Sequence, residues 1–182
     1  MTKRTRDKGF TLIEVVVVLA VIAALVAILT PMLLGYIKDS RLRRAEGDVK
    51  TIAAAINALY KDTAVYPGDK ASKAYLASDT SSLPSGVTSA DVEDLADHLI
   101  DNDAGYSTTG RFKWRGPYLE SVGLDPWGKS YLVYVDHFTA ANANNSSKTA
   151  WVLSAGPDQT LDTDPTSDPT SVSDDDIGYR IK

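Results

Sequence analysis

Lys8-Gly9-Phe10-Thr11-Leu12-Ile13-Glu14 runs directly into VVVVLAVIAALVAILTPMLL at residues 15–34, and this junction decides how the chain is read. From 15 to 34 there is no charged side chain, a run of 20 residues. As a helix, such a run covers about 30 Å, the thickness of a bilayer's hydrocarbon core. The β-branched stretch Val15, Val16, Val17, Val18 would make a poor helix surface in water. In lipid a helix is the one open-chain form that satisfies its own backbone, so membrane insertion is expected. A cleaved secretory signal would also carry a basic start and an apolar run. Here no small-residue cleavage site with a polar break follows; Met32, Leu33 and Leu34 continue the apolar character.

Charges flank the span on both sides. Lys3, Arg4, Arg6 and Lys8 precede it, and Lys38, Arg41, Arg43 and Arg44 follow it. Counting basic residues therefore leaves the topology open. Glu14 sits within the apolar stretch, where a carboxylate costs a few kcal/mol near a helix centre unless it is paired or reaches the headgroups. No basic side chain lies within helical reach on its C-terminal side. A cut after Gly9 would create a cation, the α-amine of Phe10, for this carboxylate to meet; snorkelling to the headgroup level is the alternative.

The run from Lys8 to Glu14, with the helix behind it, resembles the class III signal of type IV pilins and type II secretion pseudopilins. The resemblance implies cleavage after Gly9 by a prepilin peptidase, N-methylation of Phe10, and a role for Glu14 in guiding assembly. Pro31 falls where this class often carries a helix-loosening proline.

Pro31 and Gly35 interrupt the helix on physical grounds too. Proline removes a ladder bond and crowds the preceding turn, so a bend or a melted stretch is expected near residues 27–35, with a hinge as one outcome. Beyond it Leu42, Ala45, Val49, Ile52, Ile56 and Leu59 recur at spacings of three and four, the seam of an amphipathic helix. Arg41, Arg44, Asp48 and Lys50 lie on its other face. The expected organisation is a basic leader at 1–9, a transmembrane or filament-core helix at 10–35, an amphipathic helix at 36–62 and a globular head at 63–182. The fold class is α+β, a long N-terminal helix on a small antiparallel sheet, like that of type IV pilins.

Within the head, residues 68–90 are rich in Ser, Asp, Gly and Pro and read as an exposed loop. Residues 91–100 read as a short helix with Val92, Leu95, Ala96 and Leu99 inward. Residues 130–136 and 150–154 read as strands joined by a long asparagine-rich loop at 142–147. Trp114, Tyr118, Trp127, Tyr131, Tyr134 and Trp151 are expected to supply much of the core. Neither His98 nor His137 has an evident metal or catalytic partner. No phosphate loop, nucleophile elbow or zinc signature occurs, so the chain is not read as an enzyme. The formal charge of −5 argues against nucleic-acid binding.

Charge is concentrated near the C-terminus, where residues 157–176 hold seven Asp and no Lys or Arg. Seven carboxylates repel one another unless solvated or bound to a hard cation such as calcium, which takes six to eight oxygen ligands from flexible loops. With no cysteine in the chain, no disulfide or thiolate metal site can stabilise the head.

Gly116-Pro117-Tyr118-Leu119, Asp125-Pro126-Trp127-Gly128-Lys129-Ser130-Tyr131 and Ser154-Ala155-Gly156-Pro157-Asp158 resemble the head of the major pseudopilin of type II secretion. Asp174-Asp175-Asp176-Ile177 follows them. That resemblance implies a Ca2+ site built from Asp158 and two of Asp174, Asp175 and Asp176, with backbone carbonyls completing it. Residues 68–110 are longer than the family pattern, and Pro165 and Pro169 replace a usually glycine-rich composition. The implied protein is a structural subunit of the secretion pseudopilus, held in the inner membrane with its head in the periplasm. Its partners would be identical copies in a helical filament, minor pseudopilins, the inner-membrane assembly platform and prepilin peptidase. A surface pilin for adhesion, motility or DNA uptake would share the N-terminal signal. A membrane-anchored ligand-binding protein is the reading from a different class.

Overall fold

A computed structural model of the chain describes residues 10–138 and 149–181. The expected leader at 1–9, with Gly9, and the asparagine-rich loop lie outside the described residues. Helix α1, Leu12–Thr63, is continuous and carries Pro31 within it. The chain divides into two compact units at Ser40/Arg41.

In the first unit the helix is long and apolar enough to cross a membrane, and none of its apolar stretch is buried. The melted stretch expected near residues 27–35 is absent, since helical structure runs unbroken through Pro31 and Gly35. Proline deletes one ladder bond, and the turns on either side hold. The Thr30 hydroxyl adds a donor to the Val26 carbonyl at 2.7 Å.

In the second unit, α1 buries Ala45, Val49, Ile52, Ala53, Ile56 and Leu59. The stripe begins at Ala45; Leu42, expected within it, stays exposed. The helix ends where Ala64 turns left-handed at φ 56. There Ala64 N–H donates to the Tyr60 carbonyl at 2.7 Å, and the Thr63 hydroxyl donates to the Leu59 carbonyl at 2.8 Å. These bonds satisfy carbonyls that a helix end leaves open.

The buried stripe packs on a five-stranded sheet ordered β2-β1-β3-β4-β5. The strands are β1 (Tyr75–Ala77), β2 (Val92–Asp94), β3 (Leu132–Tyr134), β4 (Trp151–Ser154) and β5 (Ile177–Arg180), with a one-turn helix α2 at Ala96–Leu99. Neighbours are antiparallel except β1 and β2, which run parallel, so the sheet is mixed. Val133 and Val152 face α1, in a core with Leu76, Leu95 and Leu99. On the opposite face Leu132 and Ala77 are covered by Leu83, Val87 and Leu161. Both faces of the central strands are therefore dry, which is why β3 and β4 are buried at every position.

Two expectations are corrected. The helix read at 91–100 is confined to Ala96–Leu99, and Val92–Asp94 is a strand. The spacing of Val92, Leu95, Ala96 and Leu99 misled because Val92 packs on one side of the sheet while Leu95 and Leu99 pack on the other. The loop read at 68–90 contains β1, whose Leu76 and Ala77 are buried. Of the aromatic set, Tyr131, Tyr134 and Trp151 are buried, while Trp114 and Tyr118 pack half-buried against the core. Tyr131 reaches α1, donating its hydroxyl to Asp48 Oδ2 at 2.7 Å. Burial, together with that acceptor, raises the tyrosine's pKa and keeps it a donor.

Candidate functional site

Two groups of residues carry the functional reading. The first opens α1. Thr11 stands just before the first helical residue, and its hydroxyl accepts the Glu14 N–H at 3.3 Å. Glu14 Oε2 accepts in return from the Thr11 N–H and hydroxyl, each at 3.4 Å. This Thr-x-x-Glu exchange is a capping box, which satisfies donors that a helix start leaves open. A carboxylate in the first turn also suits the positive end of the helix dipole. Among the described residues no cation pairs with Glu14. Phe10 stands exposed one residue before the cap. Further along, a Cβ added at Gly35 would meet nothing within 4 Å.

The second group lies between the ends of β4 and β5, which are held in register by Ser154 opposite Ile177. Carboxylate oxygens of Asp158, Asp162 and Asp175 all lie within 4.8 Å of one another, a group that could hold a metal ion. Local bonds shape it. Asp158 N–H donates to Asp175 Oδ2 at 3.1 Å. Asp176 Oδ2 accepts the Asp162 N–H at 3.1 Å and the Thr163 N–H at 2.6 Å. A Cβ on Gly156 would stand 2.2 Å from the Asp175 carbonyl oxygen, so only glycine permits this approach, and its φ of +65° favours glycine as well.

The electrostatics are those of a site short of positive charge. Asp162 is exposed; partial desolvation within the loop, then repulsion from Asp158, Asp174 and Asp175, raises its pKa. Burial outweighs the donated N–H groups at Asp176 and raises its pKa too. Among the described residues, buried Asp175 Oδ1 and Asp176 Oδ1 have no hydrogen-bond partner. Unpartnered buried carboxylate oxygens are costly. An all-oxygen donor set with spare lone pairs suits a hard cation, so the residues present fit one.

Of the expected ligands, Asp158 and Asp175 are thus brought together. Asp176 braces the backbone that carries Asp162, and its carboxylate is not one of the three. Asp174 occupies a left-handed turn position at φ 50 and is not one of them either. Asp162 is missing from the ligand set that the resemblance implies; its place four residues after Asp158 in the acidic run was the available signal. His98 is fully buried with Nδ1 at 2.8 Å from the Tyr106 hydroxyl, and burial lowers its pKa. It is a core residue.

Comparison with known proteins bears on both groups. Residues 4–30 match the prokaryotic N-terminal methylation motif. The chain is 27% identical over 129 residues to type II secretion system core protein G of Pseudomonas aeruginosa, covering 71% of this chain and 74% of that protein. To the protein of that name in Escherichia coli it is 26% identical over 165 residues, 90% of this chain and 91% of the relative. The type IV major fimbrial protein FimA of Dichelobacter nodosus is 33% identical over 97 residues, 52% of this chain and 58% of that protein. No solved structure matches the chain significantly.

Proposed function

We infer from these features that the chain, a member of the type IV pilin-like and pseudopilin superfamily, is a structural, non-catalytic subunit of a type II secretion-like system. The observation that carries this is similarity to core protein G running through helix and head alike, together with the methylation motif at the start. A single apolar helix near the N-terminus is consistent with a single-pass membrane anchor. Similarity to core protein G supports partners within such a system in general.

In our reading the chain is cut after Gly9, and the new amine of Phe10 is methylated. Once that amine exists, Glu14 has a cation to meet, on its own chain or on a neighbour. In the membrane the capping box holds the carboxylate at the helix start, where its charge meets the dipole; in a filament it pairs with the neighbour's terminus. Residues 10–35 form the filament core, and packing of small residues such as Ala20, Ala23 and Ala27 brings stems together. Pro31, which lacks a ladder donor, and Gly35 are where the continuous stem would bend on assembly. The head stands in the periplasm, and identical copies assemble with minor pseudopilins on the inner-membrane platform. The work is mechanical, promoting export of folded proteins across the outer membrane.

The acidic loop is read as a Ca2+ site. Asp158, Asp162 and Asp175 would hold the ion, with Asp174 beside them and Asp176 bracing the loop. The bound cation would supply positive charge that lets these carboxylates share one place. A ligand that binds the folded loop and not the unfolded chain stabilises the fold, by about 2.7 kcal/mol at a hundred times its Kd.

The similarity to FimA favours a second reading, a pilin of a surface filament. Deleting the gene in its host, then complementing with wild type or Glu14→Ala, separates the two. The secretion reading predicts lost export with intact surface filaments, restored by wild type and not by Glu14→Ala. Normal export with missing surface filaments would move the protein to the pilin branch.

A further inference from the structure

Asp125-Pro126-Trp127-Gly128-Lys129 folds into a closed turn around a buried carboxylate, Asp125 being 4% exposed. Its Oδ1 accepts the N–H groups of Trp127 at 3.0 Å and Lys129 at 2.8 Å. Asp125 N–H donates to the Lys129 carbonyl at 2.7 Å, and Gly128 makes the reversal at φ 88. Oδ1 and the backbone thus close the turn without Oδ2. That second oxygen looks the other way, accepting the Ser154 hydroxyl at 2.7 Å.

Ser154 is the last residue of β4 and is fully buried. Its hydroxyl has one proton, and Asp125 takes it. The oxygen then presents lone pairs elsewhere, and the Gly156 N–H donates to it at 3.3 Å. Gly156 has no Cβ, and the space one would fill is taken by the Asp175 backbone carbonyl, so the two backbones pass close to each other there. A line of hydrogen bonds therefore leads from Asp125 through Ser154 to Gly156, whose backbone packs against that of Asp175, one of the three clustered residues.

We propose that Asp125 is a positioning residue for the metal cluster: it fixes the Ser154 rotor, hence Gly156, hence Asp175, without touching the ion. This rests on the reading of the acidic loop as a Ca2+ site. Three like charges keep a shared geometry only if the backbone beneath them cannot retreat. Partners one step removed from a ligand set affinity in this way. Asn at 125 retains a carbonyl for the turn but turns an NH2 donor toward Ser154. The serine oxygen then accepts from Asn, and its hold on the Gly156 N–H is contested. Ser154→Ala removes the middle link alone.

The test is calorimetric titration of Ca2+ into the full chain in detergent micelles after chelation, for wild type, Asp125→Asn, Ser154→Ala and the double variant. Each single change is expected to weaken Ca2+ binding about tenfold, the scale of one hydrogen bond to a charged group. The double variant should be no weaker than the weaker single, because both cut one path. Metal-free melting is recorded beside each titration. A role in folding alone would lower the metal-free Tm and leave Kd within about twofold of wild type, and that result would overturn the proposal. Should Asp125→Asn fail to fold, Ser154→Ala decides by the same criterion. A wild-type chain that binds no Ca2+ would instead sink the metal reading and this inference with it. Wild-type binding with unchanged affinity in both variants sinks the inference alone.

Discussion

Leu19 and Leu59 stand forty residues apart on one unbroken helix, yet Leu19 is 59% exposed and Leu59 fully buried. Before Ser40 the helix carries a long apolar stretch, none of which is buried among the described residues. After Arg41 it is one-sided, and the covered side is the core of the head. A helix apolar on every face is completed from outside, by lipid or by neighbours; one with a stripe is completed from within. The head's half of the helix is stabilised by packing within the chain, whereas the apolar half is consistent with a single-pass membrane anchor.

Truncation breaks the comparison most sharply. Leu59→Ala empties part of a closed core and should destabilise the head by about 2–5 kcal/mol. Leu19→Ala should leave head unfolding in detergent unchanged within about 0.5 kcal/mol, because its contacts are with solvent substitutes. Denaturant unfolding of the full chain in micelles, followed by the tryptophan signal of the head, measures both. Equal losses at the two positions would show that stem and head unfold as one unit.

A smaller effect separates two parts of the head, the dry core and the acidic loop. The folded pKa values of Asp162 and Asp176 are raised. A raised carboxylate favours the folded state while protonated, and that contribution is lost as pH rises from about 3.9 through the folded values. In chelator the loop should therefore grow less stable as pH climbs from about 4 through these raised folded values. In millimolar Ca2+ the trend reverses, because the ion needs the carboxylates ionised. The difference in Tm between the two conditions should be smallest at the acid end and widen as pH rises to about 7. A constant difference across the range, or none, would contradict the metal reading.

These contrasts explain what the sequence made legible. The long N-terminal helix was legible because residues 15–34 carry no charge, and Glu14 stands out just before them. The amphipathic seam was plain because Val49, Ile52, Ile56 and Leu59 repeat over several turns. β1 was missed because three residues, Tyr75, Leu76 and Ala77, set among Ser and Asp carry too little pattern. Val92 was assigned to a helix because spacings of three and four do not reveal which face of a sheet a residue reaches. The acidic loop was visible by charge alone. Which carboxylates converge depends on Gly156 and on Asp176 holding the backbone of Asp162, and neither constraint has a local sequence signature.

If the chain is a processed subunit, its new N-terminus is the place to see it. Mass spectrometry of the protein from host membranes, with and without the prepilin peptidase, reads it. The expected chain begins at Phe10, carries one added methyl group, and reverts to the full leader when the peptidase is absent. A chain that keeps its leader in both strains, or is cut beyond Glu14, would contradict it.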